Sequence, residues 1–163
     1  MVTMPVFWRM NVNETEKTVG IVHAGLTRGA KTTYYDLIFT NERIVFVKTG
    51  GIHVAWFALC FFFFGIGAVI YALIAMSKRN GAQRTLSGKS VAAMLAMSGD
   101  NYAIPYSELK SIRIFARRKL EIVTASNKNV LVLFGPTTAN ASKAQLGEYM
   151  ETIKAAVADK LVQ

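Results

Sequence analysis

YYDLIFTNERIVFVK, residues Tyr34 to Lys48, holds two runs of β-forming residues around a short polar break. Tyr34 to Phe39 and Arg43 to Lys48 read as strands, and Asn41-Glu42 reads as the turn between them. Upstream, Thr18 to Leu26 is a further strand candidate, joined to Tyr34 by the polar, glycine-containing run Thr27 to Thr33. Gly50-Gly51 is expected to break the pattern after Lys48. Farther along, Ser87 to Met97 reads as a short helix with Ser87 as its N-cap. Asn101 to Tyr106 reads as an edge strand, because Pro105 cannot donate to a ladder.

Four more elements follow. Lys110 to Ala116 alternates, with Ile112 and Ile114 on one face and Ser111, Arg113 and Phe115 on the other. Arg117-Arg118-Lys119 marks a tight charged turn, and Leu120 to Thr124 is the next strand. Asn127-Lys128-Asn129 is a turn, and Val130 to Phe134 is the last strand before Gly135-Pro136. Ser142 to Leu161 has helical periodicity: Leu146, Tyr149, Met150, Ile153 and Val157 fall at three- and four-residue steps on one face.

Composition narrows the class. The chain has 163 residues, about one domain's worth, with 52% hydrophobic and 18% charged side chains, which excludes a disordered tail. One cysteine excludes a disulfide framework and any zinc site built on several thiolates. The two histidines, His23 and His53, are too few and too far apart for a metallohydrolase built on histidine pairs. The net charge is +9. Residues 77–135 carry most of it, with ten basic and three acidic side chains, net +7. A positive field of this kind favours an anionic partner.

Ile52 to Met76 is 25 residues without a formal charge. As one helix it would span about 37 Å, more than a hydrocarbon core of roughly 30 Å. Lys78 and Arg79 follow it directly, which by the positive-inside rule places residues 77 onward in the cytoplasm. Trp56 and Tyr71 lie near its ends, where interfacial aromatics gather. Phe61, Phe62, Phe63 and Phe64 form its greasiest part, and Gly65 and Gly67 flank Ile66 near its middle. Cys60 lies inside the run and reads as apolar filler.

Seven strand candidates followed by one amphipathic helix is an order that resembles a pleckstrin-homology-like (PH-like) fold. Tyr34–Lys48 is similar to the second and third strands of GRAM and prokaryotic PH-like domains, where a TN-x-R turn joins two apolar strands. IPYSELKSI, Ile104 to Ile112, is similar to the entry to a later strand pair in the same group. The resemblance covers residues 17–49 and 101–161. It departs from the group in lacking a Trp in the C-terminal helix and in carrying the apolar insertion after the third strand.

The resemblance implies an α+β chain. A PH-like barrel of about seven antiparallel strands would be capped by the C-terminal amphipathic helix and interrupted by a hydrophobic membrane segment. The divisions expected are an arm at 1–16, a first half-domain at 17–49, a membrane segment at 50–80, a linker with a short helix at 81–100, and a second half-domain at 101–163. In PH-like domains that bind lipids the first inter-strand loop takes the anionic headgroup, which here puts weight on Arg28 and Lys31. The turn cations Arg117, Arg118 and Lys119 are the other lipid or anion candidates.

A single crossing by Ile52–Met76 would put the two half-domains on opposite sides of a bilayer, and open sheet edges do not cross lipid. One alternative is a re-entrant hairpin turning at Gly65-Ile66-Gly67, inserted through Trp56, Phe61–Phe64 and Tyr71. The other is a true single span with the PH-like reading wrong or divided between chains. The strand motifs favour the hairpin.

Chemistry is thinly represented. Gly88-Lys89-Ser90 lacks the upstream glycine of a phosphate-binding loop, since position 83 is Gln. No Ser–His–acid or Cys–His set can be assembled. The expectation is a non-enzymatic module without a cofactor or metal, at the cell membrane with its soluble part facing the cytoplasm. Membrane lipids are its expected partners, with a protein partner or a second copy as further candidates. The alternative function is a small single-span subunit or scaffold acting through helix association. Nucleic acid is disfavoured for want of an RNP-type or zinc motif.

Overall fold

The computed structural model describes residues 16–29, 31–53, 89–115, 118–135 and 141–162. The elements run in the order β1 (Thr18–Arg28), β2 (Lys31–Thr40), β3 (Arg43–His53), α1 (Val91–Ala96), β4 (Tyr102–Pro105), β5 (Leu109–Phe115), β6 (Lys119–Thr124), β7 (Lys128–Leu133), α2 (Lys143–Val157) and β8 (Leu161–Val162). They form one open sheet in the order β4-β3-β2-β1-β7-β6-β5-β8. The first seven of these are antiparallel neighbours, and β8 lies parallel to β5 through Leu161 and Val162. The chain is therefore α+β, with a seven-stranded antiparallel sheet and a C-terminal helix packed on it. The strands before Lys48 and those after Asn101 share this sheet, through the β3–β4 and β1–β7 pairings.

Strand β2 is central, and Tyr35 to Thr40 is buried at every position. Burial on both faces is why Leu37, Ile38 and Phe39 are consecutive apolar residues instead of alternating, while the buried Asp36 and Thr40 are hydrogen-bonded. Leu37 and Phe39 face the main core with Val22, Ala24, Ile44, Phe46, Ile112, Leu120, Ile122, Leu131 and Leu133. Ile38 turns the other way, with Val45 and Val47, and packs under Val91 and Met94 of α1. The sheet thus carries two apolar layers, one closed by α2 and the other by α1.

Helix α2 begins at a capping box: Gln145 N donates to Ser142 Oγ at 3.2 Å, and Ser142 N donates to Gln145 Oε1 at 2.8 Å. Its buried side chains Tyr149, Ile153 and Val157 recur every four residues, which is the stripe expected from the sequence. The helix comes so close to β1 that a Cβ added at Gly20 would lie 2.5 Å from Thr152 Cγ2.

Several local expectations are corrected. Gly50-Gly51 does not end β3. A register shift between Tyr34 and Tyr35 lets β3 continue beside β2, so that Thr33 pairs with Gly51, Thr32 with Ile52 and Lys31 with His53. The apolar run therefore begins inside a strand. The cap of α1 is Ser90, whose Oγ accepts from Ala93 N at 3.3 Å; Ser87 lies outside the described residues. Lys128 and Asn129 open β7 instead of forming a turn, because Asn129 is buried and pairs with Ile122.

Glu16, assigned to the arm, is held in the end of the sheet. Arg43 grips its carboxylate with two bonds, Nε to Oε1 at 2.8 Å and Nη2 to Oε2 at 2.7 Å, and Thr40 Oγ1 lies 2.8 Å from Oε1. The Tyr106 hydroxyl donates to Thr40 O at 2.7 Å. The TN-x-R and IPY motifs are thus two sides of one hydrogen-bonded cluster. Among the described residues, no helix is long and apolar enough to cross a membrane. The apolar run beyond His53, with Trp56, Phe61, Phe62, Phe63, Phe64, Gly65, Gly67 and Tyr71, lies outside the described residues, as does Arg117.

Candidate functional site

The basic residues singled out in the sequence fall into two places. Arg28 closes β1 and Lys31 opens β2, and they face each other across the turn, where Gly29 takes a φ of 58°. Arg28 Nη2 donates to Asn129 Oδ1 at 3.5 Å, at the start of β7. Lys31 pairs with His53, where β3 hands over to the apolar run. Lys119 instead pairs with Val132, and Arg118 O accepts from Leu133 N at 2.8 Å, near the finish of β7. Arg28–Lys31 and Arg118–Lys119 therefore sit toward opposite ends of β7, and the structure does not bring them together. Arg118 is the one described non-glycine residue with a positive φ, 65°, which reflects the tightness of the β5–β6 turn.

The end with Arg28 and Lys31 holds further groups that sequence reasoning missed. Lys48 pairs with Tyr35, and its ammonium lies 2.5 Å from Asp100 Oδ2. Its backbone N donates to Asn101 Oδ1 at 2.9 Å. Lys48 and Asp100 are far apart in sequence, so only the β3–β4 register could have revealed the pair. The Asp100 carboxyl is held below its usual range by the Lys48 hydrogen bond and charge, with a further contribution from Lys31. Lys31, Lys48 and Asp100 thus share one electrostatic neighbourhood.

An aromatic cluster lies beside these charges. Phe46 and Tyr102 stack at 4.4 Å with an interplanar angle of 11°. Tyr35 meets both edge-on, at 5.9 Å and 6.2 Å. Burial raises the Tyr35 hydroxyl above its ordinary value and the Asp100 charge adds to this, while Lys48 and Arg28 pull it back. Burial likewise raises Tyr102, and Arg28 opposes it. Arg28 therefore projects its field onto the same cluster as Lys48.

Chemically, this end offers three cations, Arg28, Lys31 and Lys48, set against one carboxylate. Such an arrangement attracts anions. Its hydroxyls at Tyr35 and Tyr102 stay protonated at neutral pH, so they act as hydrogen-bonding groups and not as bases.

His23 is the other polar feature of note. Its Nδ1 lies 2.7 Å from Oδ1 of the buried Asp36, and its ring meets Tyr149 edge-on at 6.2 Å. The pair ties β1 and β2 to α2. Among the described residues, no group of three His, Cys, Asp or Glu side chains could hold a metal ion. No protein-family model, curated protein or solved structure matches this chain.

Proposed function

We propose that this chain is a non-enzymatic PH-like module held at the cytoplasmic face of the cell membrane by the apolar run Ile52–Met76. Its Arg28–Lys31 end would turn toward anionic headgroups. A seven-stranded antiparallel sheet with a C-terminal helix closing its main core is compatible with the PH-like reading. The observation that carries the membrane part is where the two ends of the apolar run attach. The run leaves from His53, the last residue of β3, and the chain returns through α1, which packs on β3, and through β4, which pairs with it. Lys48 is tied to both Asp100 and Asn101 across that junction. A segment that enters lipid from one body and rejoins the same body leaves on the side it entered. This favours the re-entrant hairpin. The single-span scaffold would have to break the β3–β4 and β1–β7 pairings.

The same junction sits beside Lys31, so lipid insertion would bring Arg28, Lys31 and Lys48 close to headgroups. Each basic residue near an anionic surface contributes about 1 kcal/mol. Arg118 and Lys119, toward the other end of β7, would contribute less. The test is sidedness labelling of the full chain in sealed vesicles, with single cysteines at Lys31→Cys or Lys89→Cys in a Cys60→Ser background, and carbonate extraction of a parallel sample. Both positions should react from one side and the chain should stay with the membrane. Opposite sidedness would refute the hairpin, and release by carbonate would refute insertion.

A further inference from the structure

Three cations and one carboxylate at the same end of a sheet raise the question of what the carboxylate does there. Asp100 is not needed to build its own turn. The turn is held by Asp100 N on Ser98 Oγ at 3.2 Å and Asn101 N on Ser98 O at 3.0 Å. Asn101 Nδ2 caps Met94 O at 2.7 Å, and Asn101 Oδ1 accepts from Lys48 N. All of these bonds use the backbone or a neighbouring side chain. The Asp100 carboxylate itself is 61% exposed and spends its charge on the Lys48 ammonium, which is 30% exposed. An exposed ion pair of this kind adds little to stability. Its effect on the field of this end is larger, because it turns three positive charges into a net of two.

We propose that Asp100 is a built-in counter-ion that sets how strongly this end takes up an anionic lipid headgroup, holding the Lys48 ammonium until a headgroup phosphate displaces it. This rests on the lipid-facing reading above. The exchange swaps one oxyanion for another on the same ammonium, so Lys48 is never left unpaired. Arg28 and Lys31 attract the headgroup, and Lys48 is the third contact, available only to an anion that outcompetes Asp100. A weakly charged surface would not displace it, so Asp100 makes the docking selective for strongly anionic membrane.

The test uses the full chain in dodecyl maltoside micelles, titrated with phosphatidylserine as a rising mole fraction, with inorganic phosphate in a parallel arm. Binding is read from the backbone amide shifts of Arg28 and Lys31. Asp100→Asn should reach half-saturation at about one fifth of the wild-type mole fraction, one basic charge's worth at an anionic surface. Glu151→Gln removes the same charge from α2, beside Thr152, which packs on Gly20 far along β1 from Arg28. It should leave the titration unchanged. In a Lys48→Gln background the gain from Asp100→Asn should shrink.

Equal gains from Asp100→Asn and Glu151→Gln would overturn the proposal, since net charge alone would then explain them. So would a wild type that titrates with phosphatidylserine while Asp100→Asn titrates identically. A wild type with no response to phosphatidylserine would instead defeat the lipid-facing reading itself. Equal shifts with inorganic phosphate alone would overturn the assignment to a lipid headgroup.

Discussion

Removing the charge of Glu16 while leaving Arg43 in place isolates a two-bonded ion pair at the end of the sheet. The two side chains are 2% and 8% exposed, and the guanidinium makes both of its short bonds to this one carboxylate. In Glu16→Gln the guanidinium stays buried and cannot shed its proton. Breaking a buried pair from one side costs about 3–5 kcal/mol. At roughly 2–4 °C per kcal/mol for a chain of this size, the melting midpoint should fall by about 6–20 °C.

Arg43→Met should behave differently. It leaves a carboxylate that can neutralise, so its deficit should narrow as pH falls toward the ordinary carboxyl range, whereas the Glu16→Gln deficit should narrow only as pH falls through the lower wild-type Glu16 value. The double variant Glu16→Leu, Arg43→Met removes both charges and should melt within a few degrees of wild type.

The wild-type pH profile follows from the same pair. Burial alone would raise the Glu16 carboxyl, but the hydrogen bonds from Arg43 and Thr40 and the guanidinium charge outweigh it and hold it below its ordinary value. A carboxyl lowered by folding contributes stability that is fully present above its unfolded value. That contribution is lost as pH falls through the lower folded value. Thermal melts followed by near-UV circular dichroism in detergent at pH 7 and pH 4 provide the assay. A Glu16→Gln midpoint within 2 °C of wild type at pH 7, or a double variant as unstable as the sum of the singles, would refute the reasoning.

Two further substitutions probe the packing. Gly20→Ala should destabilise by about 1–3 kcal/mol in urea unfolding, because its Cβ would meet Thr152 Cγ2 at 2.5 Å, and Thr152→Ala should restore much of the loss. Thr49 is 4% exposed and its Oγ1 is buried without a hydrogen-bond partner, so Thr49→Val should be neutral or stabilise by about 1 kcal/mol in the same assay.

The β2–β3 hairpin was legible because its signals are local: β-forming residues on either side of Asn41-Glu42. The register was not legible, because it depends on the irregularity between Tyr34 and Tyr35, which no residue type announces. That shift hides the pairing of Tyr35 with Lys48 and carries β3 through two glycines. Asn129 was misread for a related reason. Asparagine beside lysine looks like a turn, yet its side chain is buried and receives the Arg28 guanidinium. Basic clusters in the sequence are grouped by chain proximity, whereas a sheet sorts residues by strand end. Arg28–Lys31 and Arg118–Lys119 read as two separate basic turns and lie toward opposite ends of β7, while Lys48 and Asp100, remote in sequence, meet through the β3–β4 pairing.

The position of the apolar run in the fold also has a physical reason. It departs between β3 and β4, and β4 is a four-residue strand at the edge of the sheet. A connection at an edge can be lengthened without threading past another strand. Strand pairing at the middle of the sheet, between β1 and β7, is left untouched. The return must still be pinned, and the bond from Lys48 N to Asn101 Oδ1, with Val91 and Met94 of α1 seated on Val45 and Val47, pins it. These anchors flank the candidate headgroup site without using the Asp100 carboxylate, so a headgroup that displaced Asp100 would leave the return of the chain in place.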